Sequence, residues 1–127
     1  MEVRKSSFES LECWKAGREL KAFLREEVRP LLPKFERYDL ADQLRRAARS
    51  VTANIAEGYG RYHYLDEAKF LSNSRGSAHE VLDHLIDALD EGYISENQLV
   101  KARERLDEVI RLINGYRAYV IRRSKEQ

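Results

Sequence analysis

Several residue types and patterns that mark particular classes of protein are scarce or missing in this chain. Its one cysteine, Cys13, excludes an internal disulfide and a zinc site built from several cysteines. Only two of the 127 residues are proline and 43% are hydrophobic, a composition that is not typical of disorder. No apolar run approaches the ~20 residues that cross a bilayer, and residues 1–6 lack the apolar stretch of a signal peptide. We therefore expect a cytoplasmic protein with no membrane partner.

Patterns that would indicate catalysis are also missing. A carboxylate-bridged di-iron bundle needs Glu-x-x-His pairs, and none occurs before His63, His79 or His84. The sequence contains neither the Gly-x-Ser-x-Gly turn of a serine hydrolase nor a glycine-rich phosphate loop, and Cys13 falls in an apolar stripe. We predict a protein that is not an enzyme and that uses no metal or cofactor.

The net charge of the chain is small, but its acidic and basic residues are unevenly distributed. The formal net charge is only +1, which argues against a strongly basic nucleic-acid-binding protein. Residues 76–98 contain six acidic side chains and no lysine or arginine, so the remainder of the chain is clearly basic. Any nucleic-acid site is therefore expected to be a local basic patch.

The chain does contain four stretches in which apolar residues recur every three or four positions, the spacing of an amphipathic helix. The predicted helices span residues 10–28, 40–57, 65–91 and 96–122. Short connections between helices force neighbours to run in opposite directions. The sequence therefore predicts an all-α, antiparallel up-down-up-down four-helix bundle that occupies residues 1–127 as one domain.

Caps and glycines add local expectations to this bundle. Asp39 is placed to cap the second helix, and residues 95–98 form a capping box before the fourth. Gly58 or Gly60 is expected to end the second helix in the left-handed conformation. Gly76 lies inside the third helix at a cost of about 1 kcal/mol relative to alanine, which predicts either a bend in the helix or the close approach of another backbone, and we favour close packing.

Two charge patterns fall on the predicted helices. An acidic stripe on the third helix consists of Glu80, Asp83, Asp87 and Asp90. A basic patch on the second helix consists of Arg45, Arg46 and Arg49. Both patterns are compatible with solvated faces. They are equally compatible with complementarity between subunits, in which the acidic stripe of one copy meets the basic patch of the next and builds a ring.

The segment after the second helix, residues 58–64, interleaves tyrosine rings with the guanidinium of Arg61. Such a composition can stack unpaired bases and hold phosphate, which makes Arg61 and Tyr62 candidate nucleic-acid-binding residues beside the basic patch. Tyrosines in a loop also pack against nearby helix ends, and the segment matches none of the recognised nucleic-acid signatures.

Two motifs of the chain form a specific pair, Asn-Ile-Ala-Glu-Gly at residues 54–58 and Gly-Ser-x-x-Glu at residues 76–80. With residues 8–16, 44–61 and 92–94, they make the sequence resemble the four-helix-bundle proteins encoded in intervening sequences of bacterial 23S ribosomal RNA genes. The resemblance covers most of the chain. It implies a homopentameric ring without known enzymatic activity, and related proteins act as accessory factors to the reverse transcriptase of diversity-generating retroelements.

The same motifs indicate a structural role for four polar residues. We expect a buried polar network that fixes the packing of the second and third helices, made of Asn54, Glu57, Ser77 and Glu80. The leading hypothesis for the whole chain is an accessory protein that binds RNA or a ribonucleoprotein, with a reverse transcriptase as a possible partner. The alternative is a structural or protein-interaction scaffold whose charges only direct self-assembly.

Overall fold

The computed structural model describes residues 7–126, and within them the chain forms four α-helices and no strand. The helices are α1 at Glu12–Phe23, α2 at Leu40–Tyr59, α3 at Tyr64–Asp90 and α4 at Glu96–Ser124. The prediction of an all-α fold with four helices is confirmed, and the bounds of α2, α3 and α4 lie within two residues of the predicted ones. No helix in the described part is long and apolar enough to cross a membrane. The signal-peptide pattern sought at residues 1–6 lies outside the described residues.

The first predicted helix, residues 10–28, is less regular than its sequence pattern indicated. Beyond α1 the chain continues as a π-helical turn, Leu24–Val28. Four buried side chains follow one another here at intervals of four residues: Leu20, Leu24, Val28 and Leu32. An α-helix turns every 3.6 residues, so this spacing would rotate the later side chains away from the core. The wider π turn keeps them on the core face.

The α1–α2 connection contains two 3₁₀ turns, Arg29–Leu31 and Lys34–Glu36. The predicted cap by Asp39 is wrong, because its carboxylate accepts a hydrogen bond from the side chain of Gln43 at 3.3 Å instead. Glu36 caps the start of α2 instead, since its Oε1 accepts a hydrogen bond from the backbone amide of Leu40 at 3.2 Å. Glu36 Oε2 also accepts one from the hydroxyl of Tyr93 at 2.7 Å, which joins this connection to the α3–α4 turn.

The turn between α3 and α4 follows the sequence prediction closely. The Ser95 hydroxyl accepts a hydrogen bond from the Gln98 amide at 3.2 Å, and the Gln98 side chain accepts one from the Ser95 amide at 2.7 Å. The predicted capping box is therefore confirmed. Within residues 7–126 the only positive φ is 82° at Gly92, so the left-handed cap predicted for Gly58 or Gly60 is wrong. Gly60 has a φ of −80° and continues the right-handed turn.

The hydrophobic core lies along the centre of the helices. α1 and α3 each pack mainly against α2 and α4, which places α1 and α3 across the bundle from each other. The largest side chains with no exposed surface include Leu20, Leu44, Ile55, Leu71, Leu85, Leu106 and Ile113. Burial of such side chains stabilises by about 1.5–3 kcal/mol each, so these positions dominate the stability of the fold.

Close helix approach occurs at glycines other than the one predicted. Apart from the neighbouring backbone of α3 itself, no heavy atom of the described residues lies within 4 Å of the position that a Cβ on Gly76 would occupy, so the expectation of close packing there is wrong. A Cβ on Gly17 would lie 2.8 Å from Thr52 Cγ2, where α1 meets α2. A Cβ on Gly58 would lie 2.9 Å from Phe70 Cβ, where α2 meets α3. The two glycines therefore set the distance of α2 from its neighbours.

Candidate nucleic-acid interface

The predicted basic patch lies on the exposed surface of α2 and is partly neutralised within the helix. Arg45 contacts one carboxylate oxygen of Asp42 at 3.0 Å and Arg46 contacts the other at 2.9 Å. These hydrogen bonds, first from Arg45 and then from Arg46, lower the pKa of Asp42. Arg49 makes no salt bridge with any other residue in the described part of the chain. Exposed pairs of this kind contribute little stability, so the guanidinium groups stay available to an external anion.

A second row of cations, on α1 and the π-helical and 3₁₀ turns that follow it, faces the basic patch. Between this row and α2 lies a groove of about 430 Å³, and none of the described residues that line it carries a carboxylate. We call it the basic groove, and its cationic side chains are Arg18, Lys21, Arg25, Arg29, Arg45 and Arg49. The α1 members recur at intervals of three and four residues, which aligns them on one helix face. The sequence analysis missed them because nothing in the linear pattern shows that α1 lies beside the basic patch.

The pKa of Lys21 is affected by the positive charges around the groove. Its pKa is lowered, first by partial burial and then by the charges of Arg49, Arg18 and Arg25. Like charges held close together disfavour one another, and an anion bound between them removes that cost. The basic groove is therefore a site in which phosphate groups would be electrostatically favoured.

The basic groove continues into a second depression beside the α1–α2 connection. This connection pocket has a volume of about 570 Å³ and shares Arg25, Arg29 and Arg45 with the basic groove. Its further lining includes Pro30, Pro33, Lys34, Arg37 and Tyr38. The only carboxylate that lines it, within the described residues, is Asp42, which the arginines of α2 already engage. Because they share these three arginines, we treat the two depressions together as one basic channel, and Tyr38 lines the part beside the α1–α2 connection.

The other predicted residues, Arg61 and Tyr62, lie elsewhere. Arg49 precedes the end of α2 by ten positions, about 15 Å along the helix, and Arg61 lies beyond that end. The guanidinium of Arg61 contacts Glu57 at 2.9 Å and lies 4.5 Å from the ring centre of Phe70. Tyr62 is 90% exposed. The structure therefore does not bring Arg61 and Tyr62 together with the basic patch.

The predicted polar network divides into two parts. The Asn54 amide donates to the carbonyl and hydroxyl oxygens of Ser50 at 2.9 and 3.0 Å, and the Ser50 hydroxyl bonds the Ser77 hydroxyl at 2.8 Å. This chain of hydrogen bonds links α2 to α3. Glu57 and Glu80 take no part in it, because both are exposed and pair within their own helices, Glu57 with Arg61 and Glu80 with His84.

Burial changes the pKa values of several ionisable groups inside the bundle. Burial raises the pKa of the Cys13 thiol to about 11, so the sulfur stays protonated and is a poor nucleophile. Glu67 is only 5% exposed, and burial raises the pKa of its carboxyl group. The Tyr116 hydroxyl donates a hydrogen bond to Glu67 Oε2 at 2.8 Å, which fastens α4 to α3. Within residues 7–126 no three His, Cys, Asp or Glu side chains are grouped to hold a metal ion.

The described residues thus form an all-α fold of four helices with a cationic groove on one side. The family model described as "23S rRNA-intervening sequence protein" matches residues 9–115, and this chain belongs to that family. No curated protein sequence matches the chain.

Proposed function

We propose that this protein is a non-enzymatic, oligomeric bundle that binds RNA or a ribonucleoprotein through the basic groove. The observation that carries the proposal is the convergence of six cationic side chains, from α1, the two turns that follow it and α2, on a groove in whose lining the described residues place no carboxylate. The name of the family associates the chain with a ribosomal RNA gene, which is consistent with a role connected to RNA. The reverse transcriptase of a retroelement is the protein partner that the resemblance of the sequence suggests.

A near-neutral protein can bind RNA if its positive charge is concentrated in one place. Affinity for nucleic acid arises when cationic groups neutralise phosphates and release condensed counterions, so the local field decides and not the net charge of +1. Of the 22 acidic residues that balance the total, six lie on α3, across the bundle from α1, and none of those that the structure describes lines the basic groove. The basic groove therefore retains its field.

The bundle is proposed to be antiparallel and to assemble into a homopentameric ring. Contacts along α2 support the antiparallel order, because Ser50 meets Ser77 whereas Gly58, further along α2, meets Phe70, which is earlier in α3. The acidic stripe on α3 and the basic patch on α2 are both exposed, and their opposite charges suit contact between neighbouring subunits. That contact favours the second candidate function, a structural scaffold without nucleic-acid binding.

The test is fluorescence anisotropy of a labelled, structured RNA at several salt concentrations. The groove variant replaces three cations that have no carboxylate partner in the described residues: Arg18→Gln, Lys21→Gln and Arg49→Gln. The control variant removes the same charge from exposed positions of α4: Lys101→Gln, Arg103→Gln and Arg122→Gln. Glutamine keeps a high helix propensity, so both variants should fold.

We expect the groove variant to bind RNA far more weakly than the control. The slope of the logarithm of the binding constant against the logarithm of the salt concentration should become shallower by about 0.7–0.9 for each phosphate contact that is lost. Equal losses in the two variants would mean that only total charge matters, and the groove would not be the site. Absence of binding by the wild-type protein at low salt would overturn the proposal and leave the scaffold. Native mass spectrometry at several concentrations tests the ring separately.

A further inference from the structure

The end of the basic channel carries an aromatic side chain that packing does not explain. Tyr38 is 83% exposed, although it lines the connection pocket together with Lys34 and Arg37. The guanidinium of Arg37 lies 5.2 Å from the centre of the Tyr38 ring. An arginine over one face of a ring leaves the opposite face open, so the side chain can take a second planar group.

We propose that the channel binds single-stranded RNA, with the phosphates along the basic groove and an unpaired base stacked on Tyr38. This inference rests on the proposed RNA-binding function and specifies its substrate class. Proteins that bind single strands combine a cationic groove that follows the backbone with aromatic rings on which bases stack. Both elements occur here in one continuous surface, since the connection pocket and the basic groove share three arginines.

The length of the groove fits a short single strand. Arg18 and Arg29 are eleven residues apart along α1, the π-helical turn and the first residue of the next 3₁₀ turn, which is about 16 Å at a mean rise of about 1.5 Å per residue. A stacked strand places one phosphate about every 3.4 Å, so that length corresponds to about five phosphates. A duplex has no unpaired base to place on Tyr38.

The position of Tyr38 is held by the connection itself. Pro30 and Pro33 restrict the backbone before it, and Glu36 binds both the Leu40 amide and the Tyr93 hydroxyl. A ring presented on a fixed segment loses little conformational entropy when it accepts a base. The aromatic end of the channel is therefore preorganised for stacking.

The experiment compares an unstructured single-stranded RNA with a duplex of the same length, by anisotropy, for wild type and three variants. Tyr38→Ala removes the stacking ring, Tyr38→Phe keeps it, and Tyr62→Ala removes an equally exposed tyrosine that lies outside the channel. We expect Tyr38→Ala to weaken single-strand binding about 5-fold or more, the equivalent of losing one base–aromatic stack. Tyr38→Phe and Tyr62→Ala should bind like wild type, and the duplex should bind more weakly than the single strand.

The outcomes separate this inference from the proposed function. If RNA binding depends on Arg18, Lys21 and Arg49 but Tyr38→Ala binds as wild type does, the stacking inference fails and the basic groove stands. Preference for the duplex also overturns the single-strand assignment. If wild type binds no RNA, both fail together. Thermal unfolding of Tyr38→Ala, expected at the wild-type temperature because the side chain is exposed, shows that the variant is folded.

Discussion

Replacing Gly58 with alanine is expected to destabilise the fold, although alanine is the better helix former. The added Cβ would lie 2.9 Å from Phe70 Cβ and 3.1 Å from the carbonyl oxygen of Glu67. Neither atom is the free end of a flexible side chain, so relief requires α2 and α3 to move apart. Gly76→Ala provides a matched control, because its Cβ would meet no heavy atom within 4 Å.

The magnitude follows from two opposing terms. Overpacking of a tight contact costs about 1–3 kcal/mol. The change from glycine to alanine inside a helix returns about 1 kcal/mol, and less at Gly58 because α2 ends one residue later, at Tyr59. Gly58→Ala should therefore lose about 1–2 kcal/mol of unfolding free energy, whereas Gly76→Ala should gain about 1 kcal/mol.

Urea denaturation followed by circular dichroism measures the difference. With a slope of about 2 kcal/mol per molar urea, Gly58→Ala should shift the midpoint down by about 0.5–1 M and Gly76→Ala should shift it up. Gly115→Ala, also in open space within α4, serves as a second control against an effect peculiar to Gly76. A Gly58→Ala midpoint equal to or above that of wild type would refute the reasoning that α2 and α3 meet at this glycine.

Two further predictions concern a buried acid and a helix cap. Because burial raises the folded pKa of Glu67 above its ordinary value of 4.5, the stabilisation from its neutral form is complete below that value and is lost as the pH rises through the folded pKa. Glu67→Gln keeps an acceptor for the Tyr116 hydroxyl but carries no titratable group. Measured by urea unfolding, the stability of this variant relative to wild type should therefore increase from pH 4.5 to pH 7. A decrease over the same range would contradict the prediction. Ser95→Ala removes the acceptor of the Gln98 amide and should cost about 1 kcal/mol in the same assay, with an unchanged midpoint as the contrary result.

The parts of the fold that sequence analysis predicted are those that depend on neighbouring residues along one helix. The apolar spacing located four helices, and the Ser95 capping box needed only residues three apart. The errors arose where a residue distant in space decides. Asp39 stands at a favourable capping position in the sequence, but the carboxylate that accepts the hydrogen bond of the Leu40 amide is that of Glu36. Gly76 resembles a close-packing glycine, but the partner helix approaches at Gly58.

The candidate site divides in the same way. Arg45, Arg46 and Arg49 are visible in the sequence as a basic patch, because they lie within one helix turn or so of each other. The other half of the basic groove, on α1, becomes apparent only when the two helices are placed side by side. Tyr62 was identified by its arginine-rich and aromatic surroundings, whereas Tyr38, which has a similar local composition, is the ring that lies at the end of the channel.

The Glu36 carboxylate has a consequence for how this end of the molecule moves. One oxygen accepts a hydrogen bond from the backbone amide of Leu40 at the start of α2. The other accepts one from the hydroxyl of Tyr93, which lies in the α3–α4 turn, more than fifty positions further along the chain. Loss of the Glu36 carboxylate would remove both hydrogen bonds at once. We therefore expect opening of the start of α2 and opening of the α3–α4 turn to be coupled through this one side chain.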